Sequence, residues 1–183
     1  MTAGRVGVVP RVTDWSVDPE TAEAEAKAVA LFGHVSDLFA ALGHAPTVLS
    51  GWIDLVRRLR TDLSVDPRLH ELVVVRVAGS IGATYAETAH RRLALKAGVR
   101  QEQLDAIDLT ATAQTSAEFD DTERAALLLA AKVAAATAGP DDVLTLMELI
   151  GERDATELLV IAAFYCCVGR ITNALGVVPM GGG

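Results

Sequence analysis

The chain is predicted to be an all-α protein, and three features of its 183 residues support this class. Hydrophobic residues make up 51% of the sequence and aromatic residues only 4%, so the core consists of small aliphatic side chains that suit closely packed helices. The segments Asp18-Pro19-Glu20 and Asp66-Pro67 carry the residue types preferred at the first positions of a helix. Apolar residues also recur at helical spacing over 45–59.

In chain order, the sequence begins with a predicted irregular arm over 1–17, because Gly4, Gly7 and Pro10 interrupt any period. Glycines and prolines divide the remainder into helices. We predict these helices at 21–32, 36–42, 45–59, 67–81, 84–97, 101–108, 121–138, 141–150 and 155–175, with a polar connector at 109–118. Residues 18–178 are predicted to form a single helical domain, followed by a flexible tail over 179–183.

The secondary structure of segment 67–81 is ambiguous in the sequence, because its three consecutive valines also fit a short buried strand. Helix is favoured for three reasons. The segment is long for a strand, it begins at the Asp66-Pro67 start signal, and it carries Glu71 and Arg76 within it.

The overall charge restricts the partners of the protein. A net charge of -8 and a pI of about 4.9 argue against a protein that binds nucleic acid through a basic face. An anionic substrate stays possible, because a local arginine can outweigh the global charge. No uninterrupted apolar run reaches the length of a bilayer span, so we predict no membrane contact. The most apolar stretch, 158–168, has the length of a buried helix.

Cysteine and histidine usage points to a reduced protein without a metal. Cys166 and Cys167 are adjacent, and a disulfide between neighbours closes a strained ring. No secretory signal precedes the first helix, so we expect a cytoplasmic location. The four histidines include no pair at the i, i+4 spacing of a helical metal site, and no metal is predicted.

A motif in the middle of the chain carries a resemblance to a known family. Glu71 is followed by Ala83, Ala86 and His90, at the spacing of a glutamate, a Cys-x-x-Cys pair and a histidine. This pattern resembles the carboxymuconolactone decarboxylase / AhpD-like alkylhydroperoxidase family, with alanine at both cysteine positions. The segments 37–46, 68–78 and 164–176 resemble the family's early, central and closing segments in the right order.

The resemblance implies an AhpD-like helical fold in which the two central helices form an antiparallel pair. It also implies a homo-oligomer, a homotrimer or a homohexamer, with active sites near the subunit contacts. In the peroxidase branch of the family a cysteine thiolate attacks a peroxide, and Ala83 and Ala86 have no thiol. Cys166 and Cys167 do not replace the pair, because neighbours on a helix point about 100° apart, and small core hydrophobes are the simpler interpretation.

The decarboxylase branch needs no cysteine, and its chemistry suits the residues that remain. Decarboxylation requires that a substrate carboxylate is held and that the resulting carbanion or dienolate is protonated. His90 suits the proton donor, Glu71 suits its partner, and Arg170 suits bidentate binding of the carboxylate. Tyr85 is a further candidate catalytic residue. Asn173 and His44 are further candidates for substrate binding.

Each candidate also has a structural interpretation. His90 fits a surface histidine beside Glu87, and Glu71 fits an ion pair with Arg68 or Arg76. Tyr85 fits a core position, the pair formed by Arg170 and Asn173 fits a helix-packing network, and His44 fits the cap of a helix.

Three functions therefore follow from the sequence. The first is a cofactor-free lyase or isomerase that acts on a small carboxylated lactone, enol or polyketide-like acid through general acid/base catalysis. The second is a non-catalytic helical oligomer that binds a small molecule, since the same site serves both roles. The third, disfavoured by Ala83 and Ala86, is a thiol peroxidase that uses Cys166 or Cys167.

Overall fold

The computed structural model describes residues 5–107 and 116–178, and these residues are almost entirely helical. The helices are α1 (Pro19–Phe32), α2 (Asp37–Leu42), α3 (Pro46–Thr61), α4 (Pro67–Ser80), α5 (Thr84–Ala97), α6 (Gln101–Ile107), α7 (Asp121–Ala134) and α8 (Pro140–Leu175), with two-residue strands β1 (Arg5–Val6) and β2 (Val9–Pro10). The predicted all-α class is confirmed. Part of the connector and all of the tail predicted at 179–183 lie outside the described residues.

The contacts divide the described chain into two compact units. The first contains the residues up to Leu63 together with Ala174–Val178, and the second contains Ser64–Asn173. The single domain expected over 18–178 stays a prediction, and each unit is described separately.

The first unit is built on the packing of α1 against α3. Its N-terminal segment corrects the expectation of an irregular arm, because β1 and β2 pair antiparallel as Arg5 with Pro10 and Val6 with Val9. Gly7 forms the turn with a positive φ of 59°. A Cβ there would lie 1.8 Å from the Leu175 carbonyl oxygen, so this turn requires glycine.

The second unit is organised around α4, which packs against α5, α6 and α7. The helix predicted over 67–81 is confirmed, and the strand alternative is wrong. The Asp66 side chain accepts a hydrogen bond from the Arg68 backbone N–H and Pro67 occupies the first turn, as the start signal indicates. Every residue from Leu72 to Ala78 is buried, so the valines serve a helix that is covered on all sides.

Element α8 consists of two helices joined at Gly151, where φ is 85° and ψ is 165°, so the predicted helix end at Gly151 is confirmed. The second helix begins directly after Gly151, a few residues before the predicted start at 155. By length and composition α8 is apolar enough to cross a membrane, but core helices of soluble proteins have the same composition. Its most apolar window is 44% buried. The expectation that the chain makes no membrane contact stays a prediction.

Candidate active site

The two residues at the ends of the central motif lie in direct contact. The Glu71 Oε2 and His90 Nδ1 atoms are 2.7 Å apart, which is the distance of a strong hydrogen bond. His90 is only 8% exposed, so the surface interpretation of this residue is wrong. The Glu71 side chain is 14% exposed, so the pair lies at the edge of the core, where it is shielded but reachable.

The antiparallel helix pair produces this contact. Helices α4 and α5 are joined by three residues, Ile81 to Ala83, and Gly82 adopts a φ of 63° that favours glycine. The chain reverses, so the first turn of α4 lies beside the later turns of α5. A second contact fixes the same register, because Arg68 Nε donates to the Gly98 carbonyl at 3.3 Å. The predicted antiparallel pair is confirmed.

Arg68 and Arg76, the two arginines considered as structural ion-pair partners of Glu71, bond to other groups. Arg68 forms an ion pair with Glu123 at 3.0 Å, and Arg76 donates to the Ile107 carbonyl at 3.1 Å. Among the described residues, His90 is the hydrogen-bond partner of Glu71. The glutamate is therefore committed to the imidazole and not to an arginine of its own helix.

A tyrosine that the sequence did not single out completes the site. Tyr165 of α8 packs edge-to-face against His90, with ring centroids 4.6 Å apart and an interplanar angle of 77°. The same tyrosine lies beside His70, with centroids 6.4 Å apart. Both histidines and Tyr165 are buried. Tyr165 stands in the closing segment beside Phe164, and that position is the only sequence signal that points to it.

The chemistry of the site depends on the protonation state of the His90 ring. With Nδ1 directed at the Glu71 carboxylate, the other nitrogen of His90, Nε2, is without a hydrogen-bond partner in the described part of the chain. A neutral ring with its proton on Nδ1 presents Nε2 as a base. A doubly protonated ring presents Nε2–H as an acid, and Glu71 balances its charge.

The remaining predicted residues are less closely grouped. Tyr85 is half-buried and lies five positions before His90, so the two side chains leave α5 about 140° apart. Asn173 donates from Nδ2 to the Ile81 carbonyl at 3.1 Å, which ties α8 to the end of α4. Arg170 is exposed. In the first unit, His44 Nε2 contacts the Pro10 carbonyl at 2.8 Å instead of capping a helix. Substrate roles for these residues stay predictions.

Metal ligation finds no support in this arrangement. Within 5–107 and 116–178, no group of three or more His, Cys, Asp or Glu side chains is placed to hold a metal ion.

The sequence profile of the carboxymuconolactone decarboxylase family matches residues 46–132, which include both Glu71 and His90. This part of the chain is therefore similar to that family. No protein with a curated description shows significant similarity to the chain.

Several solved structures share the fold of this chain at low sequence identity. An uncharacterised peroxidase-related protein with an alkylhydroperoxidase AhpD core from Ralstonia eutropha JMP134 is 21% identical, with 98% of this chain and 95% of that chain covered and a TM-score of 0.78. A peroxidase-related protein from Silicibacter sp. TM1040 is 17% identical, with coverage of 99% and 96% and a TM-score of 0.78. The debrominase Bmp8 is 17% identical, with coverage of 96% and 92% and a TM-score of 0.75. The AhpD-like fold is therefore established.

The two positions that correspond to the Cys-x-x-Cys pair, 83 and 86, carry alanine and are also buried. Ala83 is 0% exposed and Ala86 is 3% exposed. A Cβ on Gly169 of α8 would lie 2.7 Å from the Ala83 methyl and 2.5 Å from Ile81 Cδ1, so α8 approaches the α4–α5 turn through a glycine. The space where the family carries its redox pair is filled by packing between helices.

The surroundings of Cys166 do not favour a reactive thiolate. Burial raises the pKa of the Cys166 thiol, and the charge of Arg170 opposes this shift without reversing it. A raised pKa leaves less thiolate at neutral pH, and the thiolate is the reactive form. Cys167 is exposed and lies on a different face of α8.

Proposed function

We propose that this protein is a carboxymuconolactone decarboxylase-like lyase or isomerase that works by general acid/base catalysis without a cofactor. The single observation that carries the proposal is the 2.7 Å contact between Glu71 and His90, which survives in a chain without the family's cysteines. A relay that served only thiol chemistry would have no use here. The substrate class is a small carboxylated lactone, enol or polyketide-like acid.

The reaction divides into bond cleavage and proton transfer. In a decarboxylation, the bond between the carboxylate carbon and the ring carbon breaks, carbon dioxide leaves, and the electron pair remains as a dienolate. The doubly protonated His90 ring then gives its Nε2 proton to carbon and is recharged from water. In an isomerisation, the neutral ring removes a proton from one carbon and returns it to another.

The other residues take supporting roles in this proposal. Glu71 fixes the ring orientation and balances the imidazolium charge. Arg170 is proposed to hold the substrate carboxylate with two parallel hydrogen bonds, and Tyr85 and Asn173 are proposed further substrate contacts. The exposed guanidinium of Arg170 is available for an anion that arrives from solvent.

The test is turnover of carboxymuconolactone and related carboxylated lactones in deuterium oxide, followed by NMR. An acid/base lyase releases carbon dioxide and leaves one solvent deuteron on the product carbon. We expect His90→Ala to lower turnover by about 10²- to 10⁴-fold, the usual contribution of a general acid or base. His34→Ala is the matched control, since this exposed histidine bonds to the Phe32 carbonyl in the other unit.

The alternative is a small-molecule-binding protein, and the same experiment separates it from an enzyme. Saturable binding of these acids without deuterium incorporation, or turnover that His90→Ala leaves unchanged, would contradict the catalytic proposal. The debrominase among the similar structures extends the substrate trials to brominated pyrroles, with loss of bromide as the readout.

A further inference from the structure

Tyr165 is a buried residue of the candidate site to which the proposed reaction gives no task. It is only 7% exposed, and aromatic rings contact it from three directions. The ring centroid of His90 on α5 lies 4.6 Å from that of Tyr165, the centroid of Phe164 lies 5.5 Å away, and that of His70 on α4 lies 6.4 Å away. All three contacts are edge-to-face, the arrangement that aromatic pairs prefer. The Tyr165 ring is therefore held in one orientation.

The helix that carries Tyr165 is fixed on both sides of this residue. Eight positions earlier, Glu157 Oε2 accepts hydrogen bonds at 2.8 and 3.1 Å from two backbone N–H groups in the turn before α4. Eight positions later, Asn173 Nδ2 donates to the Ile81 carbonyl, just after α4, at 3.1 Å. Gly169 lies against the α4–α5 turn between these anchors. The anchors are about 24 Å apart along the helix, so Tyr165 lies midway along a segment whose position against α4 is fixed.

A single hydrogen bond leaves the His90 ring incompletely placed. Glu71 bonds to Nδ1 and thereby selects the tautomer, but rotation of an imidazole about its Cβ–Cγ bond has a broad energy profile. The Glu71 side chain is 14% exposed, so its carboxylate can follow a ring that swings. Proton transfer requires Nε2 at hydrogen-bond distance from the reacting carbon and in a fixed direction. The reaction therefore needs a second contact that restricts the plane of the ring.

The helix of His90 itself does not supply this second contact. Long side chains on a helix lean over the preceding turn, which for His90 contains Ala86 and Glu87. Ala86 offers only a methyl group, and Glu87 is turned towards Arg91, whose Nε lies 3.0 Å from Glu87 Oε1. The flat surface that meets the imidazole comes from Tyr165, at an interplanar angle of 77°.

We propose that Tyr165 is a positioning residue for His90. Its ring, independently of its hydroxyl group, restricts the imidazole to the plane in which Nδ1 stays on Glu71 and Nε2 points at the substrate. The consequence for catalysis rests on the proposed function, whereas the restriction of the ring is a property of the free protein. The site then draws one residue from each of α4, α5 and α8, and Tyr165 lies beyond the segment 46–132 that matches the family profile.

The first test observes the His90 ring directly, without a substrate. In the full chain with nitrogen-15-labelled histidine, the Nδ1 proton between His90 and Glu71 should give a resonance that exchanges slowly with water, and His90→Gln identifies this resonance by removing it. Tyr165→Leu should broaden the resonance beyond detection or speed its exchange by about tenfold or more, because the ring then opens towards solvent. Tyr165→Phe should retain the resonance, since the ring that restricts the imidazole is still present.

The matched control is Phe39→Leu, in the other unit. Phe39 is 4% exposed and packs edge-to-face against Phe32 at 5.4 Å, so the change removes an equally buried ring with the same kind of contact. It should leave the His90 resonance unchanged. If Tyr165→Leu does not fold, Tyr165→Met replaces it, because a flexible thioether fills the space without a flat face. An unchanged resonance in the Leu or Met variant, its loss in Tyr165→Phe, or its absence from the native chain would overturn the proposal.

The catalytic consequence is measured separately, with carboxymuconolactone in deuterium oxide. Tyr165→Leu should lower kcat by about 10- to 100-fold and leave KM within about twofold, because a misdirected proton donor affects the transition state more than substrate binding. The solvent deuteron should enter one face of the product carbon in the native chain and in Tyr165→Phe, and both faces in Tyr165→Leu. Equal losses of kcat in the Phe and Leu variants would assign the role to the hydroxyl group and overturn the proposal. A native chain without turnover would contradict the proposed function, and the resonance of the His90 ring would still decide the role of Tyr165.

Discussion

Two carboxylates of the second unit, Glu71 on α4 and Glu123 on α7, differ in the number of hydrogen bonds that they accept. Glu123 accepts hydrogen bonds from Arg68, from Gln103 on both oxygens and from the Asp120 backbone N–H. Among the described residues, Glu71 has one hydrogen-bond partner, the His90 ring. A carboxylate that accepts several hydrogen bonds stabilises the fold. A carboxylate whose single partner is titratable retains the capacity to move a proton.

The largest effect that tests this comparison is a loss of stability. Glu123→Ala removes one acceptor of the buried Gln103 amide and the ion-pair partner of Arg68, and it removes half of the capping box with Asp120. We expect the free energy of unfolding to fall by about 2–3 kcal/mol, measured by urea denaturation. A loss no larger than that of Glu118→Ala, a half-buried control in an ion pair with Arg100, would show that the cluster is not structural.

A second change sharpens the comparison near the active site. Gly169→Ala should cost about 1–3 kcal/mol of stability, the usual effect of overpacking, because the new methyl meets Ile81 and Ala83 within 3 Å. Gly51→Ala on α3 is the control, since nothing lies within 4 Å of that position. Thermal denaturation of both variants measures the difference, and equal melting temperatures would contradict the close approach of α8.

The complementary prediction at Glu71 concerns activity more than stability. Glu71→Gln keeps a hydrogen-bond acceptor for Nδ1 but loses the charge that balances the imidazolium ring. Turnover should fall by about 10- to 100-fold, the equivalent of one charged hydrogen bond, while the unfolding free energy changes by less than about 1 kcal/mol. A stability loss as large as that of Glu123→Ala would erase the distinction between the two carboxylates.

The smallest expected signal concerns the thiols. Since burial raises the pKa of Cys166, less of this residue is thiolate at pH 7–8 than of an ordinary cysteine. Brief treatment of the native protein with iodoacetamide should leave Cys166 unmodified by mass spectrometry. Peroxide consumption should equal that of the Cys166→Ser, Cys167→Ser double variant. A faster rate in the native chain would revive the peroxidase interpretation.

The parts of this molecule that local rules govern could be predicted from the sequence. The start of α4 follows from Asp66 and Pro67, and the end of α5 follows from Gly98, whose φ is 94°. The contact between Glu71 and His90 follows from the family resemblance combined with an antiparallel helix pair. Burial of His90 did not follow, because a histidine beside Glu87 and two arginines fits a surface equally well.

Other features depend on contacts that no local pattern reports. The strands β1 and β2 have two residues each, which is too short for a period. Tyr165 meets His90 across 75 positions of sequence through the packing of α8, so its role becomes visible only in three dimensions.

The approach of Gly169 to Ala83 has an evolutionary consequence. Position 83 lies in the α4–α5 turn and position 169 lies on α8, yet growth of one side chain restricts the other, so their substitutions are linked. A chain that regained cysteine at position 83 would have to keep glycine at 169 and find space for a sulfur atom in a site that is now closed. Cysteines introduced at positions 83 and 86 would therefore need further packing changes around them.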